Sequence, residues 1–172
     1  CRLIGYFIAE GSYKGENALN FSFNSEEKQY LNDVQNILKN EFGLNSALRI
    51  SKNKSCTHVE VNSSSLFLLF NEILGIKRGA INKRIPKIIF NTLDENKISF
   101  LCGYFRGDGC LHNNRYTCAS ISSLLISDVS YMCAQLGLRG SILQEQGKEK
   151  IICSVKTKSK NIFKFRLYYV SF

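Results

Sequence analysis

One nine-residue pattern occurs twice in this chain. Leu3-Ile4-Gly5-Tyr6-Phe7-Ile8-Ala9-Glu10-Gly11 is matched, 98 positions on, by Leu101-Cys102-Gly103-Tyr104-Phe105-Arg106-Gly107-Asp108-Gly109. A repeat at that period in 172 residues implies two similar halves. Each copy reads as the last turns of a helix, closed by a glycine suited to a left-handed C-terminal residue. Gly5 and Ala9 are four apart and share a helix face, as do Gly103 and Gly107. Such a small-residue face lets two helix backbones approach closely.

Each copy also ends in an acid, Glu10 or Asp108. A carboxylate at a helix C-terminus opposes the helix dipole, at about 0.3–1 kcal/mol. Two such ends brought together add like-charge repulsion. A divalent cation compensates both penalties, because adjoining carboxylates suit Mg²⁺ or Ca²⁺. One amphipathic helix ending in an acid and a glycine carries little information; the same Gly-Tyr-Phe core and the same ending twice carry much more.

The remaining chain alternates helix and strand patterns. Leu19-Asn20-Phe21-Ser22-Phe23-Asn24 alternates as a half-buried strand with Asn20, Ser22 and Asn24 on one face. Ser25-Glu26-Glu27 opens a helix as its cap, with Tyr30, Leu31, Val34, Ile37, Leu38 and Phe42 as the apolar face and Gly43 at its end. Leu48 to Ser51 and Val59 to Val61 read as strands joined through a basic turn with Lys52 and Lys54, and Ser63 to Ser65 cap a helix stopped by Gly75. Pro86, the sole proline, biases Ile85 away from helix, so Lys83 falls just before a helix start. In the second half, Tyr116 to Ser122 is a strand, and Ser123 to Leu136 a helix ended by Gly137. Ser141 to Gln146 and Ile151 to Lys158 read as strands joined through a turn with Lys148. From Ile162 to Val170, Lys164 and Arg166 face together while Phe163, Phe165 and Leu167 face the core. A counterpart of Lys83 would fall beyond Phe172, so the second half reads as incomplete.

The formal net charge of +9 favours an anionic partner. Seven cysteines without C-x-x-C spacing fit reduced thiols and an intracellular setting; Cys102 and Cys133 read as small core residues. No apolar run reaches the ~18 residues of a membrane span. Basic and polar side chains on alternate strand positions suit DNA: Asn20, Ser22, Asn24, Arg49, Lys52, Lys54 and His58 in the first half, Lys148, Lys156, Lys158, Lys164 and Arg166 in the second. A two-stranded ribbon fits the major groove.

The paired motif resembles the LAGLIDADG homing endonucleases, most closely the intein-encoded, two-motif form. Lys83-Arg84-Ile85-Pro86, ahead of the second motif, is similar to the lysine motif of intein endonucleases. The segment from Ser122 to Gly137 is similar to the helix that follows their second motif. The resemblance implies an α/β (α+β) fold of two αββαββα halves, residues 1–92 and 93–172, related by a pseudo-twofold in one monomer. It further implies saddle-shaped antiparallel sheets over double-stranded DNA. Glu10 and Asp108 would bind Mg²⁺ and Lys83 would join them in phosphodiester hydrolysis. The expected function is site-specific DNA cleavage, as part of a longer intein or host polypeptide. Glu10 departs from the commoner Asp, which moves one carboxylate by a methylene. A non-cleaving DNA-binding derivative and an RNA maturase share the fold and the charge.

Overall fold

The computed structural model describes residues 1–51, 55–112, 115–147, 149–152, 155–158 and 161–168; side chains are described for fewer of them. The residues gather into two compact units, Cys1–Arg78 with Pro86–Asp108, and Gly79–Ile85 with Gly109–Phe172.

The first unit runs α1 (Arg2–Glu10), β1 (Gly11–Lys14), β2 (Ala18–Asn24), α2 (Lys28–Phe42), β3 (Ala47–Ile50), β4 (Cys56–Asn62) and α3 (Ser64–Leu68), with a π turn over Leu69–Ile73. This is the expected αββαββα order. It also takes in α4 (Lys87–Phe90) and α5 (Asp94–Asp108). α1 is buried at Leu3, Gly5, Tyr6, Phe7 and Ile8. A helix apolar on nearly every side belongs inside a core. Its partner is α5, packed backbone to backbone. A methyl group on Gly5 would collide with the Phe100 carbonyl oxygen and stand 2.8 Å from the Tyr104 nitrogen. One on Gly103 would collide with the Arg2 carbonyl oxygen and stand 3.0 Å from the Tyr6 nitrogen. Phe100 and Tyr104 are the 98-position counterparts of Arg2 and Tyr6. The contact is therefore reciprocal, as at a twofold interface.

The first sheet has the order β1-β2-β4-β3, all antiparallel. Leu19, Phe21 and Phe23 face the core with Val59 and Val61. Phe7 of α1 packs edge-on against Phe21, with ring centroids 5.6 Å apart, and against Phe70 at 5.0 Å. α2 covers this face with Leu31, Val34 and Leu38, while Phe42, expected on the same stripe, is 41% exposed.

The second unit runs β5 (Gly109–His112), β6 (Arg115–Ser120), α6 (Ser123–Gln135), β7 (Gly140–Glu145), β8 (Glu149–Ile152), β9 (Val155–Lys158) and β10 (Ile162–Leu167). Its sheet has the matching order β5-β6-β10-β7, and β8 and β9 pair separately. α6 is buried at Leu125, Ile126, Val129, Met132 and Cys133. Its N-cap Ser122 accepts from the Leu125 nitrogen at 3.2 Å.

Several local expectations change. Gly11 is extended (φ −85°, ψ 149°) and Gly109 opens β5, so both glycines start strands. Gly11 is needed for space instead, since a Cβ there would collide with the Phe7 ring and carbonyl oxygen. The glycines with positive φ are Gly15, Gly43, Gly75, Gly79 and Gly137, and of these Gly43, Gly75 and Gly137 stand where helices end. α2 begins at Lys28, and its start is held by Asn24 and Glu27 rather than Ser25: Asn24 Oδ1 accepts from the Glu26 nitrogen and Glu27 Oε2 from the Asn24 nitrogen, each at 3.1 Å. β7 pairs with β10, not with the segment that follows it, because β8 and β9 close on each other. Cys102 is exposed, since its side of α5 turns away from α1; Cys133 is buried, and burial pushes its thiol up to about 12. The six described cysteines are free thiols. No described helix is long and apolar enough to cross a membrane.

Two carboxylates lie inside this framework. Asp128 of α6 receives Arg84 in a bidentate pair, at 2.7 and 2.8 Å, and the Ile85 nitrogen at 3.1 Å. Glu60 of β4 receives Lys14 Nζ and Arg49 Nε on its Oε2, both at 2.9 Å. The Lys14 hydrogen bond does most to hold the Glu60 carboxyl below the usual carboxylate range; burial opposes it and the charge of Arg49 adds to it.

Two predictions follow from this packing. Gly5→Ala and Gly103→Ala should each lower stability by at least about 1–3 kcal/mol, because a backbone cannot step aside as a side chain does; urea unfolding measures this. A carboxyl depressed by folding contributes stability above its unfolded value of about 4.3 and loses it as pH falls through the lower folded value. The melting-temperature advantage of the parent chain over Glu60→Gln should therefore be full at neutral pH and shrink as the pH falls below about 4.3 toward the lower folded value. A difference that stays constant with pH would show that the Glu60 ion pairs contribute nothing.

Candidate active site and nucleic-acid face

The reciprocal contact of α1 and α5 delivers two acids to neighbouring helix ends. Glu10 is the last residue of α1 and Asp108 the last of α5. A Cβ on Gly107, next to Asp108, would stand 2.9 Å from Glu10 Cγ and 3.7 Å from Glu10 Oε1. The Glu10 side chain thus lies along Gly107, in space that a larger residue would fill. Burial raises the Cys56 thiol of β4, and the charge of Glu10 raises it further. β1 follows α1 without a break, so Glu10 stands at the start of the first sheet. Among the described residues no group of three or more His, Cys, Asp or Glu side chains gathers at one point. Two carboxylates suffice for Mg²⁺, which keeps several waters and takes phosphate oxygens as further ligands. The donor set at these helix ends fits such an ion.

A second cluster braces the same helix pair. Asp33 of α2 accepts Tyr6 Oη at 2.9 Å and Arg106 Nη1 at 2.9 Å on Oδ2, and pairs with Arg2 at 2.9 Å on Oδ1. Burial pushes the Tyr6 phenol up to about 12. Arg106 stands where α1 has the fully buried Ile8, so the two motif helices differ here. Sequence reasoning did not find Asp33, because one acid on an exposed helix face has no distinguishing spacing.

Lys83 follows a 3₁₀ turn (Ala80–Asn82) in extended conformation, with φ −63° and ψ 134°. Its carbonyl accepts the Ser122 hydroxyl at 2.9 Å, and the next two residues are held by Asp128. Extended backbone before Pro86 is as expected; its attachment to α6 was not legible.

The strand register sorts the expected nucleic-acid residues. Opposite partners in a ladder share a face. Ser12, Asn20 and Glu60 lie in one row, and Ser22, His58 and Arg49 in the next. Ser22 Oγ lies 2.9 Å from His58 Nδ1, and Asn20 Nδ2 donates to Ser22 Oγ at 3.0 Å. Asn24 shares the face, but its side chain serves the start of α2. An open concavity of about 300 Å³ is lined by Lys14, Asn20, Arg49, His58 and Glu60 with Ser12 and Tyr13. Lys14 is new to this face, since Gly11 to Lys14 lacks the apolar alternation that marks a strand. In the second sheet Lys164 and Arg166 share a face with Thr117 and Ser141, and Lys164 donates to Glu145 Oε1 at 2.7 Å. Lys156 and Lys158 stand two apart on β9, opposite Ile151 and Glu149 of β8. Lys52, Lys54 and Lys148 lie outside the described residues.

Similar proteins fit this arrangement. The DNA polymerase II large subunit of Thermococcus kodakarensis is 31% identical over 143 residues, which is 81% of this chain and 8% of that protein. The homing endonuclease I-DmoI, solved in complex with DNA and Mn, superposes with a TM-score of 0.65 at 19% identity, covering 97% of this chain and 87% of that one. Full-length DUF199/WhiA from Thermatoga maritima superposes with a TM-score of 0.64 at 14% identity, covering 98% of this chain and 50% of that one. At such identities the superpositions show a shared fold. Residues 2–75 and 95–168 each match the LAGLIDADG-like domain, and the chain belongs to that family.

Proposed function

We propose that this chain is the endonuclease region of an intein, hydrolysing both strands of double-stranded DNA at a specific site with Mg²⁺. The observation that carries the reading is the pairing of Glu10 and Asp108 at two helix ends held together through Gly5 and Gly103. Protein cores do not ordinarily assemble like charges at unfavourable dipole ends; a site for a cation and a phosphate accounts for it. The intein setting is supported by the match to 8% of a DNA polymerase subunit, the pattern of a mobile segment inside a host protein. Such a segment works inside the cell, where its free cysteines stay reduced.

Glu10 and Asp108 would hold the Mg²⁺. A divalent cation there supplies charge stabilisation at the phosphoryl oxygens. The polar faces of the two sheets bind the duplex, with Lys164 and Arg166 as phosphate donors and Asn20, His58 and Arg49 toward base edges. Lys83 counters the negative charge that builds on the phosphate. Its backbone is held by Ser122, so only the side chain remains to be ordered when the phosphate binds.

A duplex selected from a randomised library in Ca²⁺ provides the substrate for the test. Cleavage of that duplex should require Mg²⁺ and stop in EDTA. Asp108→Asn should abolish it, and Lys83→Ala should slow it by on the order of 10²–10³ while leaving duplex affinity nearly unchanged. Because Glu10 and Asp108 differ, the two strands should be cut at unlike rates, so nicked plasmid should accumulate before linear product. Tight duplex binding without cleavage in Mg²⁺ would instead establish a non-cleaving DNA-binding protein.

A further inference from the structure

Arg49 is set up differently from an ordinary surface arginine. Its Nε is taken by Glu60 Oε2 at 2.9 Å, while the side chain is 62% exposed. No partner for its two Nη groups is found among the described residues, so the end-on fork of the guanidinium is presented outward. Glu60 is 7% exposed and forms part of the floor of the concavity, where it also accepts Lys14 Nζ. Its charge cancels one of the two positive charges above it. The site thus keeps directional donors and loses much of its attraction for a phosphate. What matches a neutral pair of acceptors at the spacing of the Nη fork is the O6/N7 edge of guanine in the major groove.

The second sheet does not repeat this device. The two sheets have the same strand order, and Phe21, Val59 and Leu48 occupy the row that Cys118, Phe165 and Ile142 occupy in the other. On that alignment Glu60 corresponds to Arg166, and Arg49 to Leu143.

Resting on the reading above that the sheet faces bind duplex DNA, we propose that Arg49, held at Nε by Glu60, reads a guanine in one half of the target. The corresponding base pair of the other half has no arginine–glutamate reader. Glu60 is here a positioning residue that acts through Arg49.

The experiment uses the whole chain and duplexes randomised over the binding site, selected in Ca²⁺ and sequenced, for the parent, Arg49→Lys and Glu60→Gln. Arg49→Lys keeps the charge but loses the planar fork. The expected result is a guanine enriched at one position in one half-site, whose preference falls about tenfold or more in Arg49→Lys. Preferences at other positions and the salt dependence should stay as in the parent. Glu60→Gln should weaken preference at the same position, a change that loss of stability alone would not confine to one base pair. If Glu60→Gln fails to fold, Arg49→Lys decides. Equal loss on all sequences with a shallower salt slope would make Arg49 a phosphate contact and overturn the proposal. An unchanged profile would overturn it and leave the nuclease reading standing. A parent chain that enriches no duplex would remove both.

Discussion

Two helix backbones approach too closely for a side chain between them where Gly5 and Gly103 each lie against the carbonyl of the other helix. Everything around the acidic site depends on it. A side chain at either glycine would separate the helices and carry Glu10 away from Gly107 and Asp108. The reciprocal geometry follows from the repeat: two copies of one motif bind each other by the same surface, as a twofold interface requires. The apolar residues of α1 then fit around a contact already fixed by backbone atoms, and Phe7 transmits that position to Phe21 in the first sheet.

The first sheet converts this placement into a surface. Period-two alternation sends Leu19, Phe21 and Phe23 inward and Asn20, Ser22 and Asn24 outward. The first sheet begins beside Glu10, because β1 continues directly from the end of α1. A polar face continuous with a pair of carboxylates is a suitable arrangement for holding a charged polymer against a cation. The buried Glu60 gives part of this face internal order, since a carboxylate shared by Lys14 and Arg49 limits the rotamers of both cations.

The halves are built alike but differ at particular positions, among them two that are buried in the first copy, Ile8 and Glu60. Arg106 replaces Ile8 on the motif helices, Arg166 replaces Glu60 on the sheets, and the β8–β9 ribbon is inserted between β7 and β10. The sheet cores stay apolar in both halves, with Phe21 and Val59 in one and Cys118 and Phe165 in the other, because the same packing repeats.

By itself the sequence determined the repeat, the small-residue helix face, the two terminal acids and the alternating strands. Each of these rests on short-range periodicity that the chain carries locally, as Leu19 to Asn24 and Gly5 to Gly11 illustrate. It misjudged Gly11, whose extended conformation follows from its continuation into β1, and Cys102, whose exposure depends on which side of α5 meets α1. Strand pairing was likewise out of reach: nothing local tells β7 to pair with β10 across the β8–β9 ribbon. The attachments of Asp33 to Tyr6 and Arg106, of Asp128 to Arg84 and Ile85, and of Glu60 to Lys14 and Arg49 join residues 11 to 73 positions apart. Only the tertiary structure decided them, because a charged side chain shows no periodicity of its own and takes its partner from whatever the folded backbone brings within reach.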